Sequence, residues 1–472
     1  MHIVILLKWL AFCNKKTQKK VNFSSYTKKM QLKASYKHIW QLAYPIIVGS
    51  FAQNLIGVTD IIFLSRVGEI EFGAAGIISI YYLALVMIGF GISRGGQVLI
   101  ARRAGQQNYE AIGKITYNLF YVEMLVAFVL WFFLLFLSPY ILYQFIHSTE
   151  IYDASLEYIN YRSHGLPFCF LGFVFMALYT SIGRTKVIAY VTLILFFSNV
   201  CLNYSLIFGK FGLPAMGIGG AGLASTLAEI IAAVFGLIYI YKDEALKKYE
   251  LFKLHAWESS LAKQISQLSY PIVFQYIISM GGWFLLFSLI ESMGKRALSI
   301  STVIKNVYTF YSIPAWGFAS AANSIVSNLI GQKKHNEVLT AIHRTAVLSF
   351  LLTFFACLTL MLFPETIIAI FSSDVTIIKE SKTILFMLIA ILLGGSISLI
   401  IFNGLMGTGA MLFALLTEGV SVIVYLVYAY ASIKFMELEL SYVWASEFLY
   451  WVALAVPAWF YLYSEKWKKL KV

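Results

Sequence analysis

The chain of 472 residues predicts an all-α polytopic membrane protein, with twelve transmembrane helices in two parallel six-helix repeats. Three observations predict it. The composition is 60% hydrophobic and only 12% charged, with a mean hydropathy of +0.77. Soluble chains carry about 45–50% apolar and about 25% charged residues. Apolar stretches close to the roughly 20 residues that cross a bilayer recur along the whole length. The second half of the chain also repeats the first.

The spans fall at about 38–64, 73–99, 113–137, 160–183, 187–208 and 217–241 in the first half. In the second they fall at about 266–292, 297–328, 340–363, 383–406, 411–433 and 442–463. Many hold Gly or Ser, which lets helices pack closely on one another. Before them, MHIVILLKWLAFCNKKTQKK places its lysines after the apolar stretch. A secretory signal has the reverse order, so none is assigned. Met30 offers a second start, and residues before it form a dispensable extension in this reading.

The net charge of +13 does not point to nucleic acid, because the basic residues fall in tails and alternate loops. One set of segments holds Lys15, Lys16, Lys19, Lys20, Lys28 and Lys29, then Arg102, Arg103 and Lys114. It continues through Arg184, Lys186, Lys242, Lys247, Lys248, Lys333, Lys334 and the tail lysines 466, 468, 469 and 471. The opposite set carries few cations and holds Glu69, Glu71, Glu150, Asp153, Glu437 and Glu439. Cytoplasmic loops carry the excess of Lys and Arg. The expected location is therefore the plasma (inner) membrane, multi-pass, with both termini cytoplasmic. Four cysteines show no paired spacing and read as packing residues.

Internal similarity explains the count of twelve. QLAYPIIV at 41–48 matches QLSYPIV at 267–273, an offset of 226. The same offset brings Gly68 to Gly294, Gly91 to Gly317, and Gly105-Gln106 to Gly331-Gln332. Six is even, so both halves start on the same side and the repeats are parallel, an arrangement found in transporters. The organisation is a tail (1–37), a first lobe (38–242), a linker (243–265), a second lobe (266–465) and a basic tail (466–472). The alternating charged and apolar residues of the linker suggest a surface helix.

Ionisable residues inside a membrane are costly and mark function. The first half holds Asp60, Arg94, Glu123 and Glu229; the second holds Lys305 and Glu418. Gln53, Gly57 and Asp60 share one face of span 1, where Gly57 would let another backbone approach. Asn199 and Asn203 share a face of span 5, at a depth comparable to Asp60. These oxygens could hold a proton or a hard cation such as sodium. The alternative is that Asp60 reaches the interface or pairs with Arg66. Glu123 and Glu229 read as relay groups or as neutral carboxyls hydrogen-bonded between helices. Pro45 and Pro271 hold equivalent places and permit bending or shape packing. Tyr81, Tyr82, Tyr308, Phe310 and Tyr311 could line a cavity for flat cations, with Gln275, Ser279 and Glu418 as further cavity residues. Seven histidines lie in tails, loops or helix ends, and no Walker, HExxH, CxxC or GxSxG motif is present. The chain is read as no enzyme. It needs no cofactor, and an ion gradient would drive it.

LAYPIIVGSFAQNLIGVTDIIFLSRVG resembles the first helix of multidrug and toxic compound extrusion (MATE) transporters. GIGGAGLASTLAEI (217–230), SNVCLNYSLIFG (198–209) and PAWGFASAANSIVSNLIGQ resemble further family segments, and the likeness covers roughly 38–465. It implies a V-shaped protein of two six-helix lobes; the chain is separately expected to be a monomer in the lipid bilayer. It implies secondary active export of organic, cationic, amphiphilic drug-like compounds in exchange for H+ or Na+. The family's acid in helix 1 matches Asp60, and its polar pair in helix 5 matches Asn199 and Asn203, where many members carry an acid at the second place. Members of one branch add acids in helices 7 and 10. Here helix 7 reads FQYIISM and helix 10 has no acid, so coupling is expected in the first lobe. A lipid-linked oligosaccharide flippase of the same superfamily is the alternative, with Arg94 and Lys305 as its cationic residues.

Overall fold

The computed structural model describes residues 31–470 except 252, 254 and 373. The extension before Met30, the lysines at 15–29 and Lys471 lie outside the described residues. Twelve long helices follow one another. They are α1 (Tyr36–Leu64), α2 (Glu69–Gly105), α3 (Tyr109–Phe145), α4 (Thr149–Ser181), α5 (Lys186–Phe208) and α6 (Gly217–Lys242). Then come α7 (Ser259–Glu291), α8 (Lys295–Gly331), α9 (His335–Leu362), α10 (Val375–Thr408), α11 (Met411–Lys434) and α12 (Leu440–Tyr463). Each matches a predicted span. The described residues contain no β-strand. Eleven of these helices are long and apolar enough to cross a membrane. The twelfth, α8, is as long as α2 but carries Lys295, Arg296 and Lys305 among many Ser, Thr and Asn residues. The protein is a multi-pass membrane protein.

The distribution of side chains is that of a protein solvated by lipid. Phe284 is 74% exposed and Leu416 67%, while Ser301, Thr345, Ser349 and Thr353 are fully buried. Lipid tails solvate apolar side chains, so polar ones turn inward to find partners.

Two compact units emerge. The first contains Leu55–Gln267, and the second contains Lys33–Asn54 with Leu268–Val472. The chain thus changes unit inside α1. The reason lies in contacts made by its first half. Trp40 packs tilted against Phe318 with ring centroids 6.0 Å apart, and Phe51 packs edge-on to Phe310 at 5.3 Å. Arg344 Nη1 donates to the carbonyl of Ala34 at 2.7 Å. Gly317 lies so close that an added Cβ would sit 2.3 Å from Ile47 Cγ1.

Local sequence explains two irregularities. Pro139 has no N–H to give, and the turn before it widens into a π segment at Phe133–Leu137. Pro167 likewise follows a 3₁₀ turn at Ser163–Gly165 within α4. The linker differs from the surface helix expected. Glu244–Tyr249 form a 3₁₀ helix, and the chain then runs irregularly to α7. Its apolar residues Leu246, Tyr249 and Leu251 are buried. Tyr117 and Tyr121 of α3 donate to the carbonyls of Leu251 and His255 at 2.6 and 2.8 Å. Docking on α3 satisfies linker backbone groups that a surface helix would have bonded internally.

Candidate functional site

The site is built around the start of α6, GIGGAGLAST. An added Cβ on Gly220 would lie 2.7 Å from the Leu206 carbonyl of α5. One on Gly222 would lie 2.7 Å from the Tyr158 carbonyl of α4. The glycines let α4 and α5 run against the α6 backbone, and this proximity brings their polar side chains together. Gly209, in the left-handed conformation at φ 64°, closes α5, and its N–H donates to the Ser205 carbonyl.

Asp60 lies one turn before the end of α1, and it is only partly exposed. Asn203 Nδ2 donates to Asp60 Oδ1 and, at 2.9 Å, to Asn199 Oδ1. Asn199 Nδ2 in turn donates to Ser225 Oγ of α6 at 3.0 Å. Asn199 and Asn203 are 1% and 0% exposed. The chain of donors leaves Asn203 Oδ1 buried and without a hydrogen-bond partner. The cluster therefore presents one carboxylate and a free amide oxygen side by side. Its single negative charge and neutral oxygens suit a proton or a monovalent hard cation.

Arg162 stands beside this cluster, within electrostatic reach of Asp60. Its guanidinium grips Glu229 of α6 in a two-pronged pair at 2.8 and 2.6 Å. It also lies over the Tyr82 ring at 4.2 Å. Gly165 makes room: a Cβ there would be 2.3 Å from Glu229 Oε2 and 2.6 Å from Arg162 Nη1. Glu229 thus hydrogen-bonds between α6 and α4, as one of the two expectations had it, and its partner is a cation. Glu123, by contrast, is fully buried and neither of its oxygens has a hydrogen-bond partner, so it bridges no helices.

Three of the four residues expected at the ion cluster are brought together. Gln53 is not among them; it is exposed and belongs to the second unit. A Cβ on Gly57 would meet nothing within 4 Å, so no backbone approaches there, contrary to expectation. Asp60 has no ion pair with Arg66 among the described residues; its partner is Asn203. Tyr81 shares a hydrogen bond of 2.6 Å with Ser138 at the π segment. Arg94 donates to Gln97 at 3.1 Å and covers the Phe90 ring.

In the second unit, Ser279 donates to Glu418 Oε1, and Tyr450 donates to the same oxygen at 2.9 Å. Gln275 is buried with Nε2 unpartnered. Tyr308 lines a small pocket with Ser312, Thr353, Ser396 and Trp451. Tyr311 bonds Thr359 at 2.8 Å, and the Lys305 amine lies over the Phe287 ring at 5.4 Å. Pro45 and Pro271 are buried inside unbroken helices. Sequence reasoning missed Arg162, at the start of a span, and Glu447, buried in α12. An acid in the apolar run WASEFLYW was signal enough to find Glu447.

A family model described as MatE matches this chain twice, at residues 45–205 and 271–431. Both limits are displaced by the offset of the internal repeat. A probable multidrug resistance protein NorM of Thermotoga maritima is 27% identical over 361 residues, 76% of this chain and 77% of that protein. A protein of the same description from Synechocystis is 24% identical over 72% of this chain and 74% of its own length. Among solved structures, an outward-facing multidrug resistance MATE family transporter of the MOP superfamily aligns with a TM-score of 0.86 at 17% identity. It covers 96% of this chain and 100% of that one. A MOP superfamily transporter from Pyrococcus furiosus aligns at 0.85 and 18%, over 96% and 100%. These structures share the fold. With both halves of the chain matched, the protein belongs to the MatE family of membrane transporters.

Proposed function

We propose that the protein is a secondary active multidrug efflux transporter that exports organic, cationic, amphiphilic compounds in exchange for H+ or Na+. The names of the relatives support drug export. The observation that carries ion coupling is that Asp60, bonded by Asn203 Nδ2, lies beside the unpartnered Oδ1 of the same amide. A proton or sodium ion entering from outside binds at Asp60 and cancels its charge. The Asn203 hydrogen bond to the carboxylate weakens, and the packing of α1 against α5 changes. Substrate leaves outward and the ion is released inward. One charge moving down 100 mV supplies about 2.3 kcal/mol per cycle. Both termini lie in the cytoplasm and the protein resides in the plasma membrane.

Fluorescent-cation efflux from proteoliposomes tests this reading, with proton and sodium gradients imposed in turn. The wild type is expected to respond to at least one gradient and Asp60→Asn to neither. Full gradient-driven efflux by folded Asp60→Asn would overturn the assignment of Asp60.

A further inference from the structure

The second unit contains an acidic cluster that the expected coupling does not use. Glu418 of α11 and Glu447 of α12 are 3% and 1% exposed. Glu447 feels the Glu418 charge and lies one turn before Tyr450, which bonds Glu418, and among the described residues neither carboxyl forms an ion pair. Glu418 Oε1 is held by donors from α7 and α12, Ser279 and Tyr450. Glu447 Oε2 is buried without a partner. A second group faces them: the Tyr425 hydroxyl is buried, has no hydrogen-bond partner, and feels both carboxylates. Two carboxylates without a counter-cation do not both stay ionised in a low-dielectric interior.

We propose that Glu418 and Glu447 form a proton-binding carboxyl pair, a second ion site in the second unit. Uptake of one proton turns one carboxylate into a carboxyl. Its O–H donates to the remaining carboxylate or to the Tyr425 oxygen, which supplies the missing partner. Release restores the carboxylate. Facing titratable groups come from α8, α11 and α12. From α8 it is Tyr308; the Lys305 amine of the same helix is turned to the Phe287 ring. From α11 and α12 they are Tyr425 and Tyr450. No charged residue occurs in α7 between Lys263 and Glu291, or in α10 after Lys382. The helices α11 and α12 are the repeat counterparts of α5 and α6, which carry the Asp60 partners in the first unit. Both repeats thus place a polar cluster on the same helix pair, with different residues. The family resemblance placed no ion site in this half, because it looks to helices 7 and 10.

The test is infrared difference spectroscopy between high and low pH on the full-length protein in liposomes. It is run in an Asp60→Asn background, so it is independent of the proposed coupling at Asp60. The expected result is a carbonyl-stretch band of a protonated carboxylic acid that titrates. The band is lost in Glu418→Gln/Glu447→Gln. In Tyr450→Phe, which keeps both acids but removes a donor to Glu418, the band shifts in frequency. Should the double variant not fold, Tyr450→Phe decides alone. A spectrum without a titrating band, or a band unchanged by these substitutions, would overturn the proposal.

Discussion

Arg162 and Glu229 lie 67 positions apart in the chain, yet their side chains meet in a two-pronged pair only about a tenth exposed. Breaking such a pair leaves a buried charge uncompensated, at a cost of about 3–5 kcal/mol. Glu229→Ala is therefore expected to lower the unfolding midpoint of the purified protein strongly. The double change Arg162→Met/Glu229→Gln removes both charges and is expected to recover most of that loss. A double variant as unstable as the single one would show that packing, and not charge, holds this place. At Asp60 the expectation is opposite in kind. Its Leu286 counterpart in the repeat is buried in an apolar cluster, so the fold does not require an acid at that position. Asp60→Asn should leave thermal stability nearly unchanged while gradient-driven efflux is lost.

At the scale of elements, the glycines of α6 decide where polar side chains meet. Gly220→Ala would place a methyl against the Leu206 carbonyl, which is backbone and cannot swing away. Overpacking of this kind costs about 1–3 kcal/mol. It should also part α5 from α6 and weaken the Asn199–Ser225 hydrogen bond, so transport falls together with stability. Gly57→Ala meets open space and should be neutral in both. Unchanged thermal stability in Gly220→Ala would refute the close-approach account. The linker shows the limit of reading periodicity. Its charge alternation is compatible with a surface helix, but tyrosines of α3 bond its carbonyls instead. Nothing in residues 243–258 announces those partners.

For the whole molecule, the proposed topology has twelve spans with both termini on one side, and it takes that side as the cytoplasm from the basic residues of alternate segments. A membrane-impermeant thiol reagent applied to intact cells is expected to label Lys210→Cys in the α5–α6 loop. It should reach Ser464→Cys only after permeabilisation. These probes are compared in a background lacking Cys169, Cys201 and Cys357, the free cysteines of the described residues. Labelling of Ser464→Cys in intact cells would reverse the orientation.

The sequence by itself determined the solvent, the number of spans and the repeat. Each is written in local composition or in a fixed offset, and lipid leaves an apolar run of about 20 residues few alternatives to a helix. It also singled out Asp60, Asn199 and Asn203, because a polar group in an apolar run is conspicuous without its partner. Only the tertiary structure decided the partners. It joined Arg162 to Glu229, assigned the first half of α1 to the second unit, and left Asn203 Oδ1 and Glu447 Oε2 unpartnered. Those outcomes depend on which helices approach within hydrogen-bond distance. That approach is set by small residues such as Gly165, Gly220, Gly222 and Gly317, acting on segments distant in the chain.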